Sequence, residues 1–309
     1  GILKGECMRL GILGDVHLRA SKPQNRIDDY YRTQFDKLSS IFEHFQSLGV
    51  DSVLQPGDLF HDYGKDPYEL TYEVIAFLMC YRMKFYVVYG QHDIKFHNLD
   101  CNDIPIQVIN KTSLLNRVLN RKPKKLSDGV KLFGASWGEP IPKVKGNPQI
   151  PILMTHRMVT KKGPLWKGHE DYTLARNLLK TTDYKLIICG DNHKAFTYSK
   201  NNRHVINCGS MTRMSVDQFD HQPIYCVYDT YTDELQVFNV PIQDPVLVLK
   251  KSEHDRKKKS DEALDCFKRG LDSNFEADLN YRDNVNKVMK RKRVRKRTKD
   301  IVEEALNVE

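Results

Sequence analysis

No apolar run in these 309 residues approaches the roughly 18 that a membrane-spanning helix requires, so a bilayer span is not expected. Residues Gly1 to Cys7 carry neither the charged start nor the apolar stretch of a secretory signal, and secretion is not expected either. The run Met8-Arg9-Leu10-Gly11-Ile12-Leu13 reads as a natural start leading at once into a core strand, with the first seven residues an upstream extension. Cys-x-x-Cys pairs are missing as well. The seven cysteines (Cys7, Cys80, Cys101, Cys189, Cys208, Cys226 and Cys266) are odd in number and widely spaced. That pattern suits free thiols in a reducing cytoplasm better than a disulfide framework or a zinc knuckle. There is no internal repeat.

What is present is an ordinary soluble composition, 40% hydrophobic and 29% charged, in a chain long enough for one large domain with an appendage. The net charge of +9 raises the expectation of a polyanionic partner without identifying it. From residue 8 to about residue 250, short apolar runs ending in Gly, Asp or His alternate with stretches of helical period, which predicts a layered α/β domain. Strands are expected at 8–13, 51–55, 85–89, 152–155, 185–189 and 203–207, helices over 28–48, 68–82 and 172–180, and a hairpin over 224–240. The segment Lys122 to Gly146 is expected to be mostly loop around a short strand at 130–134. After Lys250 the strand-like runs stop, and a helical extension, 251–309, is expected. Leu264, Phe267 and Leu271 form one apolar stripe there, and Tyr281, Val285, Val288 and Met289 a second. Nine of the thirteen residues from Lys287 to Lys299 are Lys or Arg and none is acidic, which suits either a solvated helix face or a nucleic-acid contact.

Five segments place Asp, His or Gln just after an expected strand: Gly14-Asp15-Val16-His17, Gly57-Asp58-Leu59-Phe60-His61, Gly90-Gln91-His92-Asp93, Thr155-His156 and Gly190-Asp191-Asn192-His193. In an open α/β sheet the carboxyl ends of the strands converge on one crevice, so groups distant in sequence can meet there. In Asp15-x-His17 an extended backbone is expected to throw both side chains to one side. Carboxylate and imidazole together suit manganese, iron or zinc, and a carboxylate can bridge two ions. One such pair is weak evidence; five in order are strong.

Their order resembles that of the calcineurin-like metallophosphoesterases, whose pattern is D-x-H, G-D, G-N-H-D, H and G-H-x-H. Within that group, Gly57-Asp58-Leu59-Phe60-His61 and Cys208-Gly209-Ser210 look like the SbcD nucleases and their relative, meiotic recombination 11. The resemblance covers residues 8 to about 245. It implies a four-layer α-β-β-α metallophosphoesterase sandwich over 8–250, with a short basic helical extension at 251–309 for partner or DNA binding. By position it implies that Asp15, His17 and His193 hold one divalent ion, that Asp58 bridges, and that Gln91, His156 and Asp191 hold a second. His92 is then the acid that assists the leaving group, Asp93 positions it, and His61 helps to place the DNA phosphate.

The implied activity is a DNA exonuclease and single-strand endonuclease of recombination, repair or replication. Its implied partners are DNA, an SbcC-like SMC-type ATPase docking on the helices after the nuclease domain, and a second copy of the chain. Compact length and unusual motifs suit a phage-type version.

Two positions depart from the family pattern. Gln91 stands where the family has Asn, and Asp191 where it has the first His of G-H-x-H. Asp15, Asp58 and Asp191 therefore set three carboxylates against two ions, which favours manganese or magnesium over zinc. The same departures motivate a different expectation, a DNA-binding scaffold with a degraded metal site. A phosphodiesterase for nucleotides or phosphoproteins on the same fold is the third. Outside the motifs, Arg213 is a candidate phosphate contact or a surface ion pair. Trp166, with Lys161 and Lys162, could stack a base and hold its backbone, or anchor a loop on the core.

Overall fold

The chain, treated through a computed structural model, is described over residues 8–63, 68–166 and 168–250 and at 289, 296 and 298–300. Residues 1–7, the expected stripes after 263 except Met289, and most of the basic run lie outside the described residues. The chain divides into two compact units, 1–250 and 251–309, and the architecture below is that of the first.

In chain order the unit opens with β1 (Arg9–Ile12), α1 (Tyr30–Ser47), β2 (Ser52–Gln55), α2 (Tyr68–Met79) and β3 (Lys84–Val87). There follow α3 (Pro105–Lys111), β4 (Leu115–Arg117), β5 (Lys124–Ser127), β6 (Val130–Ala135), β7 (Ile150–Thr155), β8 (Val159–Thr160) and β9 (Thr173–Leu174). The last elements are α4 (Ala175–Thr181), β10 (Leu186–Cys189), β11 (Phe196–Lys200), β12 (Arg203–Asn207), β13 (Ile224–Asp229), β14 (Glu234–Asn239) and α5 (Pro245–Val248).

Two six-stranded sheets form the middle of the unit, in the orders β14-β13-β1-β2-β3-β4 and β11-β12-β10-β7-β6-β5. The central pairings of each are parallel, while β13–β14, β1–β13, β11–β12 and β5–β6 are antiparallel. Strand alternation assigns the three cores. Leu10, Ile12, Ile152, Met154, Leu186 and Ile188 point into the space between the sheets. Leu153, Ile187 and Cys189, one residue out of phase, pack with Leu178 and Leu179 of α4 on the far side of the second sheet. The first sheet meets α1, α2 and α3 through Val53, Phe85 and Val87. Helices, two sheets and helix give the four layers the sequence resemblance implies.

Helix α1 shows why the pattern is readable. Asp29 caps it by accepting from the Arg32 amide, and Tyr30, Gln34, Leu38, Ile41, Phe42 and Phe45 fall on one buried stripe. Burying each of its aliphatic and aromatic side chains contributes roughly 1.5–3 kcal/mol. The segment 122–146 is less irregular than expected. It supplies the β5–β6 hairpin, and β6 runs parallel to β7 with every residue but Lys131 buried. Most of its Lys, Pro and Gly content belongs to the turns and to the edge strand β5, while Lys131 and Gly134 lie within β6. Cys80, Cys101, Cys189, Cys208 and Cys226 are free thiols. Among the described residues no helix is long and apolar enough to cross a membrane.

Candidate metal centre

Because β1, β2 and β3 run parallel in one sheet and β7, β10 and β12 in the other, the loops following them lie at one edge of the sandwich. Two main-chain ties join the sheets there. Asp15 N donates to Gly209 O at 3.0 Å and Met211 N to Asp15 O at 2.9 Å, so the first and last loops are held together. Val16 and His17 both donate to Asp58 O, which locks the first loop onto the second.

All seven expected ligands gather here. His17 Nε2 lies 3.0 Å from His193 Nε2 and 3.6 Å from Asp58 Oδ2. His193 Nε2 is 3.7 Å from Asp15 Oδ2. His156 Nε2 is 3.3 Å from Asp58 Oδ2, within reach of charge attraction but off the geometry of a hydrogen bond. Asp58 Oδ2 thus lies within 3.6 Å of imidazole nitrogens of both His17 and His156.

The two departures from the family pattern turn out to be partners. Gln91 Nε2 donates to Asp191 Oδ1 at 3.0 Å, which leaves Gln91 Oε1 buried without a hydrogen bond. The longer amide reaches across to the shorter acid.

Asp15 and Asp58 are fully buried, and Asp15 Oδ1, Asp58 Oδ2, Gln91 Oε1, His156 Nε2 and His17 Nδ1 have no hydrogen-bond partner. A buried polar atom left so costs about 1–3 kcal/mol, more if charged, and five together call for something to satisfy them. Divalent cations fit this donor set. Electrostatics point the same way. Burial pushes the Asp15 carboxyl well up, with repulsion from Asp58 and Asp191 added and His156 opposing. Burial works against the ionised Asp58, yet His156, ahead of His17, holds it well below the usual carboxylate range. Burial also opposes a charged His156, but the Asp58 carboxylate overcomes that and lifts it to about 10. Burial lowers His17 and His193.

His17 corrects one expectation. Its backbone is left-handed, φ 51°, as are those of Asp58 at 54° and Asp191 at 73°. Asp15 and His17 therefore converge through a turn, not through the alternation of an extended strand. Three non-glycine residues with positive φ at expected ligand positions mark stored backbone strain of order 1–3 kcal/mol each.

Asp93, expected to position His92, does something else. Its carboxylate accepts from Asp58 N at 2.8 Å, Phe60 N at 2.9 Å and Gly90 N at 2.9 Å, so it ties two ligand loops together from below. Burial, then the neighbouring Asp58 charge, lifts its carboxyl to about 7. The His92 ring is held instead by His61 O, 2.8 Å from Nδ1, and it stacks on the His61 ring at 5.3 Å and 14°. His17, His61 and His92 lie close enough together to share an ion themselves. Burial and then the Arg19 charge depress His61 to about 4.

The other expected contacts are placed elsewhere. Arg213 is only 3% exposed, and its guanidinium donates to the Phe219 and Gln243 carbonyls, so it is neither a surface ion pair nor turned to a phosphate. Trp166 is 58% exposed and stacks on His169 at 3.9 Å, so it does not anchor its loop on the core; Lys161 and Lys162 beside it are exposed. Two supporting residues escaped the sequence reading. Buried Gln55 donates to Gly14 O and Gly57 O, and buried Asn207 donates to Asn192 O and Lys194 O. Each is a lone amide closing an apolar strand, which is the signal that could have found it.

Glycine is required where the loops touch. A Cβ on Gly190 would lie 2.5 Å from His156 Nδ1, 2.7 Å from Pro56 O and 2.8 Å from Asp15 Oδ1. Gly190→Ala is expected to cost about 1–3 kcal/mol through overpacking and to displace His156. Thermal melting and metal analysis check this; an unchanged melting temperature with unchanged metal content would show that the loops have slack.

The calcineurin-like phosphoesterase family matches residues 8–195, well over half of the chain, and the chain belongs to that family. Its chemistry is phosphoester hydrolysis at a pair of divalent ions. No similar sequence was found among curated proteins. Among solved structures, the protein is similar to a novel archaeal phosphodiesterase at 15% identity and a TM-score of 0.41, covering 75% of this chain and 99% of the other. A dimetal phosphatase from Danio rerio matches at 12% identity and a TM-score of 0.49, covering 75% of this chain and 95% of the other.

Proposed function

We propose that the protein is a metal-dependent DNA nuclease, an exonuclease and single-strand endonuclease resembling SbcD, that prefers manganese and works with an SbcC-like ATPase. The observation that carries this reading is the His61–His92 pair. The Gly57–His61 motif stacks its imidazole on that of His92, beside His17 at the cluster. Two imidazoles side by side offer one group for a phosphate oxygen and one for the departing sugar oxygen, the needs of a phosphodiester.

Asp15, His17 and His193 would hold one ion, Gln91, His156 and Asp191 the other, with Asp58 between them. When bound, the ions supply an activated water and offset charge building on the phosphate. His92, with Nδ1 bonded to the His61 carbonyl, keeps Nε2 free to pass a proton to the leaving oxygen. Asp93 keeps the Asp58 and Gly90 loops in register while this happens. The Gln91–Asp191 hydrogen bond favours a working site over a degraded one, and its hard oxygen donors favour manganese.

Labelled single- and double-stranded DNA, incubated with manganese, magnesium or chelator and with or without the ATPase, tests the proposal. Manganese-dependent cutting of the single strand is expected, with the ATPase extending action to duplex ends. Turnover of a small chromogenic diester with DNA left intact would overturn it.

A further inference from the structure

Between α4 and the edge strand β11 lies a cavity of about 540 Å³ whose lining includes Arg176, Lys180, Tyr198, Lys200, Asn201 and Arg203. No acidic side chain lines it. Arg176, Lys180 and Lys200 are exposed and make no ion pair among the described residues. Arg203 is already engaged. It donates to the carbonyls of Leu179, Thr182 and Tyr184, at and just beyond the end of α4, so it cancels the negative end of that helix. Three cations are left over, beside a Tyr ring and amide groups, with no ion pair among the described residues to neutralise them.

The cavity has a defined place relative to the metal centre. It sits at the start of β12, and the other end of that strand, Asn207, binds the Asn192 carbonyl next to His193. Four residue steps at roughly 3.3 Å separate the two ends by about 13 Å. A single strand covers that with about four phosphates even at the 3.4 Å helical rise. On the strand alongside, Phe196 and Tyr198 are only partly buried, so aromatic faces lie between the two ends.

We propose that this cavity docks the phosphodiester backbone of single-stranded nucleic acid a few nucleotides from the bond being cut. It rests on the nuclease reading above and adds to it a second, remote contact. Free cations hold phosphates, and aromatic rings stack bases without regard to sequence. Substrates shorter than about four nucleotides then miss the cavity and are cut less efficiently.

The test compares the wild type with the triple variant Arg176→Ala, Lys180→Ala, Lys200→Ala on a labelled oligothymidine of about fifteen nucleotides and on bis(p-nitrophenyl) phosphate, both with manganese. The three side chains are exposed, so an unchanged melting temperature confirms the fold. Expected is an unchanged kcat/KM on the small diester and a loss of about tenfold or more on the oligonucleotide. Each single-strand phosphate contact contributes about −0.7 to the slope of log affinity against log salt, so three contacts contribute about −2. Between 50 and 200 mM salt the wild type should therefore lose about 16-fold more affinity than the variant. Equal cutting and equal salt slopes would overturn the cavity's role and leave the nuclease reading standing. A wild type that turns over the small diester but neither binds nor cuts the oligonucleotide would overturn both.

Discussion

His92→Asn is expected to reduce turnover of DNA by about 10²–10⁴-fold, the usual worth of a positioned general acid. The replacement keeps the main-chain donation from residue 92 to Asp58 Oδ1, so the Asp58 carboxylate stays in place. What is lost is the imidazole whose Nδ1 is bonded to the His61 carbonyl and whose other nitrogen is free. An amide of similar polarity has no proton that it can give up and take back. Two further readouts separate this role from others. A diester with a nitrophenolate leaving group departs without a proton, so the variant should retain most of its activity on that substrate. Metal content should also be unchanged. His17, His61 and His92 are near enough to share an ion, and a fall in bound metal would make His92 a ligand and remove the acid role.

Asp58→Asn is expected to bring bound metal below two ions per chain and to lower kcat/KM by at least ~100-fold. Loss of a residue that merely supports a ligand costs 10–100-fold, and Asp58 lies between the imidazoles of both halves of the cluster. Asn has nearly the same volume and can still accept from the His92 amide, so the fold should survive. A ligand at 100 times its Kd stabilises by about 2.7 kcal/mol, which in a domain of this size raises Tm by roughly 5–10 °C. Wild type should show that rise on adding manganese to the stripped protein, and the variant should lose most of it. Full metal occupancy and full activity in Asp58→Asn would remove the bridging role.

Much of the architecture was legible because its core strands are short apolar runs and α1 carries one buried stripe. Of the hairpin over 124–135 the strand at 130–134 was, but its partner β5 was not, since a strand with a charged exposed edge and Gly and Pro at its turns looks like loop when read locally. Edge strand β11 was missed for the same reason: Phe196 to Lys200 is only half buried, so little alternation marks it. Arg213 was misread because composition cannot tell a guanidinium on the surface from a buried one bonded to two main-chain carbonyls. Asp93 was placed beside its sequence neighbour, His92, when its hydrogen bonds go to the amides of residues 58, 60 and 90.

The order of residues alone determined which groups could do chemistry. Carboxylates, imidazoles and amides follow five apolar runs, and a run that must be buried leaves the polar residues after it at a strand end. Only the tertiary structure decided how they meet. Parallel pairing within each sheet and the ties between Asp15, Gly209 and Met211 set which loops touch. Left-handed turns at residues 17, 58 and 191 set where the side chains point. Direction in a turn depends on dihedral angles imposed by packing across the whole sandwich, and no local stretch of sequence contains them.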